Sequence, residues 1–400
     1  MNSTPIILLG GTIYGEDGVI PEGYLKIENG LISSMGSKEE LSSLEGCEVV
    51  HVPADHAIIP GMIDVHIHGA NGADTMDGTK ESLDVMAAIL PAEGTTSFLA
   101  TTITEKKAAI EVALKNVRDY MEGHQHAGQA EILGIHLEGP FINPGRAGAQ
   151  PVKSILTPDL DVFMDWERLS GGTIKLVTLA PELDGDHALI SYLHSRGIVA
   201  SAGHTSATYE QMENAIDAGL SHVTHLFNQM SGLHHREPGV VGAAFARPEL
   251  MVELIADGVH VKPEVVNIAY RQVTDERFIL ITDSMRAKCL KNGQYDLGGQ
   301  MVTVKDGVAL LDPDTLAGSV LKMDHAFTNV QDFTGAGIVN AIRMASENPA
   351  RQLGVFDRKG SLKTGKDADI VMMDASQKIM ATYCKGTLAY ERKEDSHETD

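Results

Sequence analysis

The stretch ILGIHLEGPF, residues 132–141, is an apolar run that stops on a carboxylate, Glu138, where Gly139 and Pro140 turn the backbone. Five other runs end in the same way, on His, Asp or Glu: IDVHIHG (63–69), ASAGHT (200–205), VTHLFN (223–228), ADGVH (256–260) and LITDSM (280–285). Eight runs fit strands: Met62–Val65, Thr96–Ala100, Ile132–Leu137, Ile174–Leu179, Gly197–Ala202, His222–Thr224, Val252–Ile255 and Phe278–Ile281. Between them lie helical segments, of which Lys80–Leu90, Lys106–Met121, Tyr209–Ala218 and Pro263–Val273 repeat apolar residues three or four apart. Such alternation marks βαβ units around a parallel sheet. Eight runs predict an α/β fold, a closed (β/α)8 barrel of the TIM type over residues 61–355, with a doubly wound open sheet as the alternative. Active sites of such barrels form at the C-terminal edge of the strands, where these polar residues fall.

Outside this region the texture changes. Residues 1–60 hold short runs broken by Gly and Pro (IILLGG, GTIYGEDGVI, GYLKIENGLISSMG, EVVHVPADHAIIPG), which predict hairpins. Residues 356–392 repeat that texture, so the two chain ends are expected to build one small β-sandwich domain. The charged end, 393–400, is expected to be a mobile tail.

The 55 acidic and 32 basic residues give a net charge of −23. That balance argues against a nucleic-acid surface or an anionic membrane, and any acidic ligand needs a local basic patch. The opening MNSTPIILLGG has no basic stretch and too short an apolar run for a signal sequence or a membrane span. Cys47, Cys289 and Cys384 are odd in number and far apart, which fits reduced thiols. A cytoplasmic small-molecule enzyme is the expectation.

His66 and His68 stand one residue apart, so on a strand both point to one face and can hold one cation. The plainer alternative is a hydrogen-bonded pair near a turn. Glu138, His204 and His225 end separate runs and make a His2Glu set that leaves a position for water, as catalytic zinc-type sites require. Each alone suits a cap or a satisfied core histidine. Five such residues at four strand ends point to one or two divalent metal ions, two being favoured by the His66-x-His68 pair. Paired cations would make a water more acidic and polarise a carbonyl. Zinc, iron, manganese and cobalt all suit these donors. Asp283 is the acid/base candidate, able to take a proton from water and return it to a leaving amine, although Asp before Ser also suits a helix N-cap. His260 would bond the substrate or orient another ligand. Arg236, in HHREPG (234–239), is either a phosphate clamp or half of a surface pair with Glu237.

In order and spacing, HLEGPF, SAGHT, THLFNQM, REPG, ADGVHV, TDSM and LAGS resemble the N-acetylglucosamine-6-phosphate deacetylases of the amidohydrolase superfamily. The resemblance extends to IIPGMIDVHIHG in front and GSLKTGKDADIV behind, nearly the whole chain. It implies hydrolysis of the acetamide of N-acetylglucosamine 6-phosphate to glucosamine 6-phosphate and acetate, in amino-sugar catabolism and cell-wall recycling. Carried over, Glu138, His204 and His225 are the metal triad and Asp283 the proton donor and acceptor. Ala149, Asn228, Gln229, Arg236, His260, Leu316, Ala317 and Gly318 match substrate-contact positions. The arginine loop of such enzymes reaches the neighbouring subunit's site, which implies a homodimer. Glu138 takes the place of the carboxylated lysine that many other members carry on a fourth strand. The His66-x-His68 pair groups this chain with members able to hold two ions, and Gln150 stands near where some relatives carry a carbonyl-assisting histidine. Alternatives are deacetylation of the galactosamine epimer, hydrolysis of a cyclic amide, and a catalytically silent sugar-phosphate sensor. Arg236 argues against the cyclic amide, and Asp283 against the sensor.

Overall fold

The computed structural model describes residues 4–393, so the tail expected at 393–400 lies, from residue 394 on, outside the described residues. Eight strands form the central sheet: Met62–Ile67, Thr95–Thr102, Glu131–Glu138, Ile174–Leu179, Val199–Ala202, His222–Val223, Met251–Ile255 and Phe278–Ile281. Every laddered pair is parallel, and the strands follow chain order without a reversal. That order excludes the doubly wound alternative, which reverses at a switch point. Strands one and eight close the ring through their C-terminal ends. Asp283 N donates to His66 O at 2.8 Å, and the amides of His68 and Gly69 donate to Ser284 O at 3.0 Å. Below them the buried Asp64 carboxylate accepts the Thr282 hydroxyl at 2.5 Å and the His66 amide at 3.2 Å.

The helices wrap the outside because one stripe of each is apolar. Lys107–Gly123 buries Ile110, Ala113, Leu114, Val117 and Tyr120, a three-to-four-residue repeat. Lys80–Ile89 starts on Thr79, whose hydroxyl accepts the Ser82 amide. Tyr209–Asp217 and Pro263–Arg277 also match the sequence reading. Leu160–Leu169, Ala188–Ser195, Gly239–Ala246 and Met323–Thr334 are further helices that it did not single out. None of the helices among the described residues is long and apolar enough to cross a membrane.

Both chain ends enter one mixed eight-stranded sheet. Its junction is the antiparallel pairing of Glu48–Pro60 with Ile370–Met373, and Leu8, Leu25, Ile58, Ile370 and Tyr383 share its core. At the barrel's other face of contact, Glu131 opens strand three and receives both Arg358 Nη atoms at 2.9 Å, Lys359 Nζ at 2.8 Å and Lys385 Nζ at 3.0 Å. Burial raises the Glu131 pKa, but Arg358 and Lys359 outweigh it and pull the carboxyl down to about 2.

One element was not expected. After strand eight, Gly293–Leu297, Gln300–Lys305, Val308–Asp312 and Thr315–Leu316 form an antiparallel meander. It has a small core of its own, Leu297, Val302, Val304 and Ala309 packed with Ile103 and Met285, and it brings Leu297 and Leu316 over the barrel mouth.

Candidate active site

His66 lies in strand one and His68 stands one residue beyond its end, and Glu138 ends strand three. Glu138 therefore arrives from the third strand and not from a fourth. His204, His225 and Asp283 each stand two residues beyond their strands, with φ of 48°, 30° and 47°. A side chain in that left-handed region costs on the order of 1–3 kcal/mol and persists only where surroundings dictate it. Here they do: Asn143 N donates to His204 O at 2.9 Å, and Ser319 N donates to Asp283 O at 2.7 Å. Gly318, with φ of 60°, lets the chain pass Asp283, since a Cβ there would lie 3.0 Å from the Asp283 carbonyl oxygen.

Glu138 is the hub. Its Oε1 lies 3.2 Å from His204 Nε2, 3.3 Å from His225 Nε2 and 3.5 Å from His66 Nε2, while Oε2 lies 3.3 Å from His68 Nε2. Asp283 Oδ1 faces the other side, 3.3 Å from His68 Nε2 and 3.5 Å from His66 Nε2. The atoms fall into two triplets, Glu138–His204–His225 and His66–His68–Asp283, each with ligand atoms within 4.8 Å of one another. The fit to cations rests on more than residue type. His66 Nε2 is buried with no hydrogen-bond partner, and the Nε2 atoms of His204 and His225 converge to 3.1 Å beside a carboxylate oxygen.

Electrostatics point the same way. Burial raises Glu138, but the imidazoles of His66, His204, His225 and His68 hold it well below the usual carboxylate range. Asp283 is likewise lowered against its burial, by His66 and His68. Burial should depress His66, yet Asp283, Glu253 and Glu138 raise it to about 9, and His68 is raised well above its ordinary value. Protons on these rings thus offset the carboxylates, and a divalent cation is the group that displaces such protons.

The pocket above the cluster is lined by Ala149, Asn228, Gln229, His260, Leu316 and Gly318 among the residues expected from sequence, with Ile103, Gly148, Gln150, Leu297, Asp314 and Thr315. Two expected residues are elsewhere. Ala317 packs into the meander core, and Arg236 lies on an exposed loop with Nη1 2.7 Å from its own neighbour His235. His260 Nδ1 lies 2.6 Å from Asp257 Oδ2, which turns Nε2 away from that carboxylate.

Sequence reasoning passed over Glu253, His136 and His222, and it named Gln150 only as standing near a histidine position of some relatives. Gln150 Nε2 donates to Glu138 Oε2 at 2.6 Å while its Oε1 accepts Thr104 N at 2.8 Å, so it fixes the hub. Glu253, His136 and His222 lie beneath it in the barrel and are fully buried. Burial drives His136 down to about 3, so its ring is neutral, and it bridges Val65 O at 3.1 Å and the Thr178 hydroxyl at 2.7 Å. The available signal was position: each lies within a strand run on the inward-facing register.

Known proteins can now be set beside this geometry. The amidohydrolase family model matches residues 57–391. The N-acetylglucosamine-6-phosphate deacetylase of Bacillus subtilis is 47% identical over 96% of this chain and 96% of its own. The N-acetylgalactosamine-6-phosphate deacetylase of Escherichia coli O157:H7 is 36% identical over 96% of this chain and 99% of its own. Among solved structures, a mutant N-acetyl-D-glucosamine-6-phosphate deacetylase from Mycobacterium smegmatis, in complex with N-acetyl-D-glucosamine-6-phosphate, superposes with a TM-score of 0.90 at 31% identity, covering 97% of this chain and all of that one. The chain is a hydrolase, similar to the N-acetylglucosamine-6-phosphate deacetylases, and belongs to the amidohydrolase family.

Proposed function

We propose that this chain hydrolyses the acetamide of N-acetyl-D-glucosamine 6-phosphate, giving D-glucosamine 6-phosphate and acetate. The observation that carries the reading is the Glu138 hub, a member of one triplet that also lies within 3.5 Å of both histidines of the other, at the floor of a polar pocket with Asp283 at its edge. Glu138, His204 and His225 would hold one divalent ion, and His66 and His68 a second. Such ions, when bound, supply a Lewis acid for the carbonyl and a more acidic water.

The remaining work falls to side chains. Asp283, held ionised by its neighbours, accepts the proton of the attacking water on a carboxylate oxygen. It then gives that proton to the C2 nitrogen as the carbon–nitrogen bond breaks, so water and amide become acetate and amine. Gln150 holds Glu138 in place, and His260, oriented by Asp257, presents Nε2 to the acyl group or the sugar. Asn228, Gln229, Ala149 and the Leu316–Gly318 edge surround the sugar.

The phosphate partner is Arg236 of a second copy of this chain. No Lys or Arg is among the described residues lining the pocket, so the dianion lacks a cation from its own subunit, while Arg236 stands exposed. A homodimer with exchanged arginine loops supplies it. A cytoplasmic place in amino-sugar catabolism and cell-wall recycling suits this chemistry.

The relative acting on the galactosamine epimer makes that sugar the second candidate. Acetate release should be measured from N-acetylglucosamine 6-phosphate, its unphosphorylated form and the galacto epimer, before and after chelation. Release fastest from the phosphorylated gluco sugar and abolished by chelation is expected. A preference for the galacto epimer would transfer the assignment, and metal-independent release would overturn the mechanism.

A further inference from the structure

Glu253 sits in the seventh barrel strand, fully buried and outside the pocket lining. Its Oε2 lies 2.9 Å from His66 Nδ1 and accepts the His225 backbone N–H at 3.2 Å. One oxygen therefore receives a donor from each triplet. Oε1 lies 3.2 Å from His222 Nε2, and on the far side of that ring Gln352 Nε2 lies 3.1 Å from Nδ1. An amide N–H only donates, so His222 carries its proton on Nε2 and gives it to Glu253.

The same rule sets His66. A carboxylate only accepts, so Glu253 keeps a proton on His66 Nδ1, and the proton that a cation would displace is the one on Nε2, whose lone pair then faces Glu138 and Asp283. The other rings do not share this support equally. His204 Nδ1 lies 2.8 Å from the Arg146 carbonyl oxygen, whereas His68 Nδ1 and His225 Nδ1 are buried without partners. In the His66–His68–Asp283 triplet, His66 is thus the ring whose outer nitrogen is anchored.

We propose that Glu253 is a positioning residue that locks His66 in its cation-binding tautomer and so governs the His66–His68 subsite in particular. The inference rests on the reading of both triplets as cation sites and is independent of which sugar is cleaved.

Divalent cobalt titrated into the metal-free chain, followed by calorimetry and by the visible band of the bound ion, tests it without turnover. Glu253→Leu removes the acceptor and should weaken one of the two ions ~10- to 100-fold while leaving the other within about threefold. Glu253→Gln keeps one acceptor oxygen for His66 and His225, its amide N–H is accommodated by His222 moving its proton to Nδ1 as the Gln352 amide turns over, and both ions should stay within about threefold of the parent. Parent-like binding of both ions by Glu253→Leu, or equal weakening of both, overturns the proposal. Should Glu253→Leu fail to fold, the ring nitrogens of His66 decide in the unsubstituted chain, read by ¹⁵N resonance and assigned by their loss in His66→Asn. A proton on Nδ1 supports the proposal, and a bare Nδ1 overturns it. A parent chain that takes up no divalent ion overturns the underlying cation reading instead.

Discussion

Strand three carries a glutamate at each end, half-buried at the start and buried at the finish, and the two are satisfied in opposite ways. Glu131, at the start, meets Arg358, Lys359 and Lys385, cations that keep their charge. Glu138, at the finish, meets four imidazoles, with Asp283 across them. Both carboxyls are held below their ordinary range, but only at Glu138 are the partners groups that can give up their protons. A carboxylate that serves the fold is neutralised permanently. A carboxylate that would serve chemistry is left with partners whose protons a metal ion can replace.

This contrast can be broken at either end. The largest effect is expected at the site: Asp283→Asn should lower turnover by about a thousandfold or more, with metal content unchanged. Acetate release beside metal analysis checks this, and near-normal turnover would remove Asp283 from proton transfer. Next comes the seam, where Glu131→Gln leaves Arg358 and Lys359 only Asp367 and Asp369 as carboxylate partners and should cost about 3 kcal/mol of stability with little change in metal binding. The sign with pH follows from the lowered carboxyl. With the folded value at about 2 against 4.5, the stabilisation is fully present above pH 4.5 and is lost as pH falls toward 2. A shift of that size is worth about 3 kcal/mol. Melting temperatures across that range should therefore fall less steeply in Glu131→Gln than in the parent; identical acid limbs would discard the ion pair as their source. The smallest effect is expected at Arg236→Ala, a rise of about 10- to 100-fold in KM for the phosphorylated sugar and none for its unphosphorylated form. Equal changes for both sugars would separate Arg236 from the phosphate.

Much of the barrel was legible because the first, third, fifth, sixth and eighth strands end on a site residue or within two residues of one. His66, Glu138, His225 and Asp283 punctuate apolar runs, and that placement reads directly from the chain. What lies within a run is harder to read. Glu253 in Met251–Ile255 looks like one polar interruption of a strand, and only closure of the ring turns it toward His66 and His222. Gly239–Ala246, GVVGAAFA, is apolar all round and so shows no helical period, although the structure buries it as a helix. The meander carried a usable signal, since Gly298–Gly299 and Asp306–Gly307 are dipeptides that favour tight hairpins between alternating runs. Arg236 shows a different limit. Its residue type suggests phosphate, but a single chain holds it away from the pocket.

Closure of the ring also bears on how the molecule comes into being. His66 and the Asp283 amide that bonds it are 217 positions apart, and the strands between them are laid down in order. As the chain leaves the ribosome, strand one therefore keeps an open edge until strand eight has been made, while the sheet at its other end waits longer still, for residues 370–391. Long-range closure of this kind is slow and leaves strand edges exposed to wrong partners. The nascent protein can thus acquire its chemistry only after the first 283 of its 400 residues are made, when strand eight brings Asp283 to strand one.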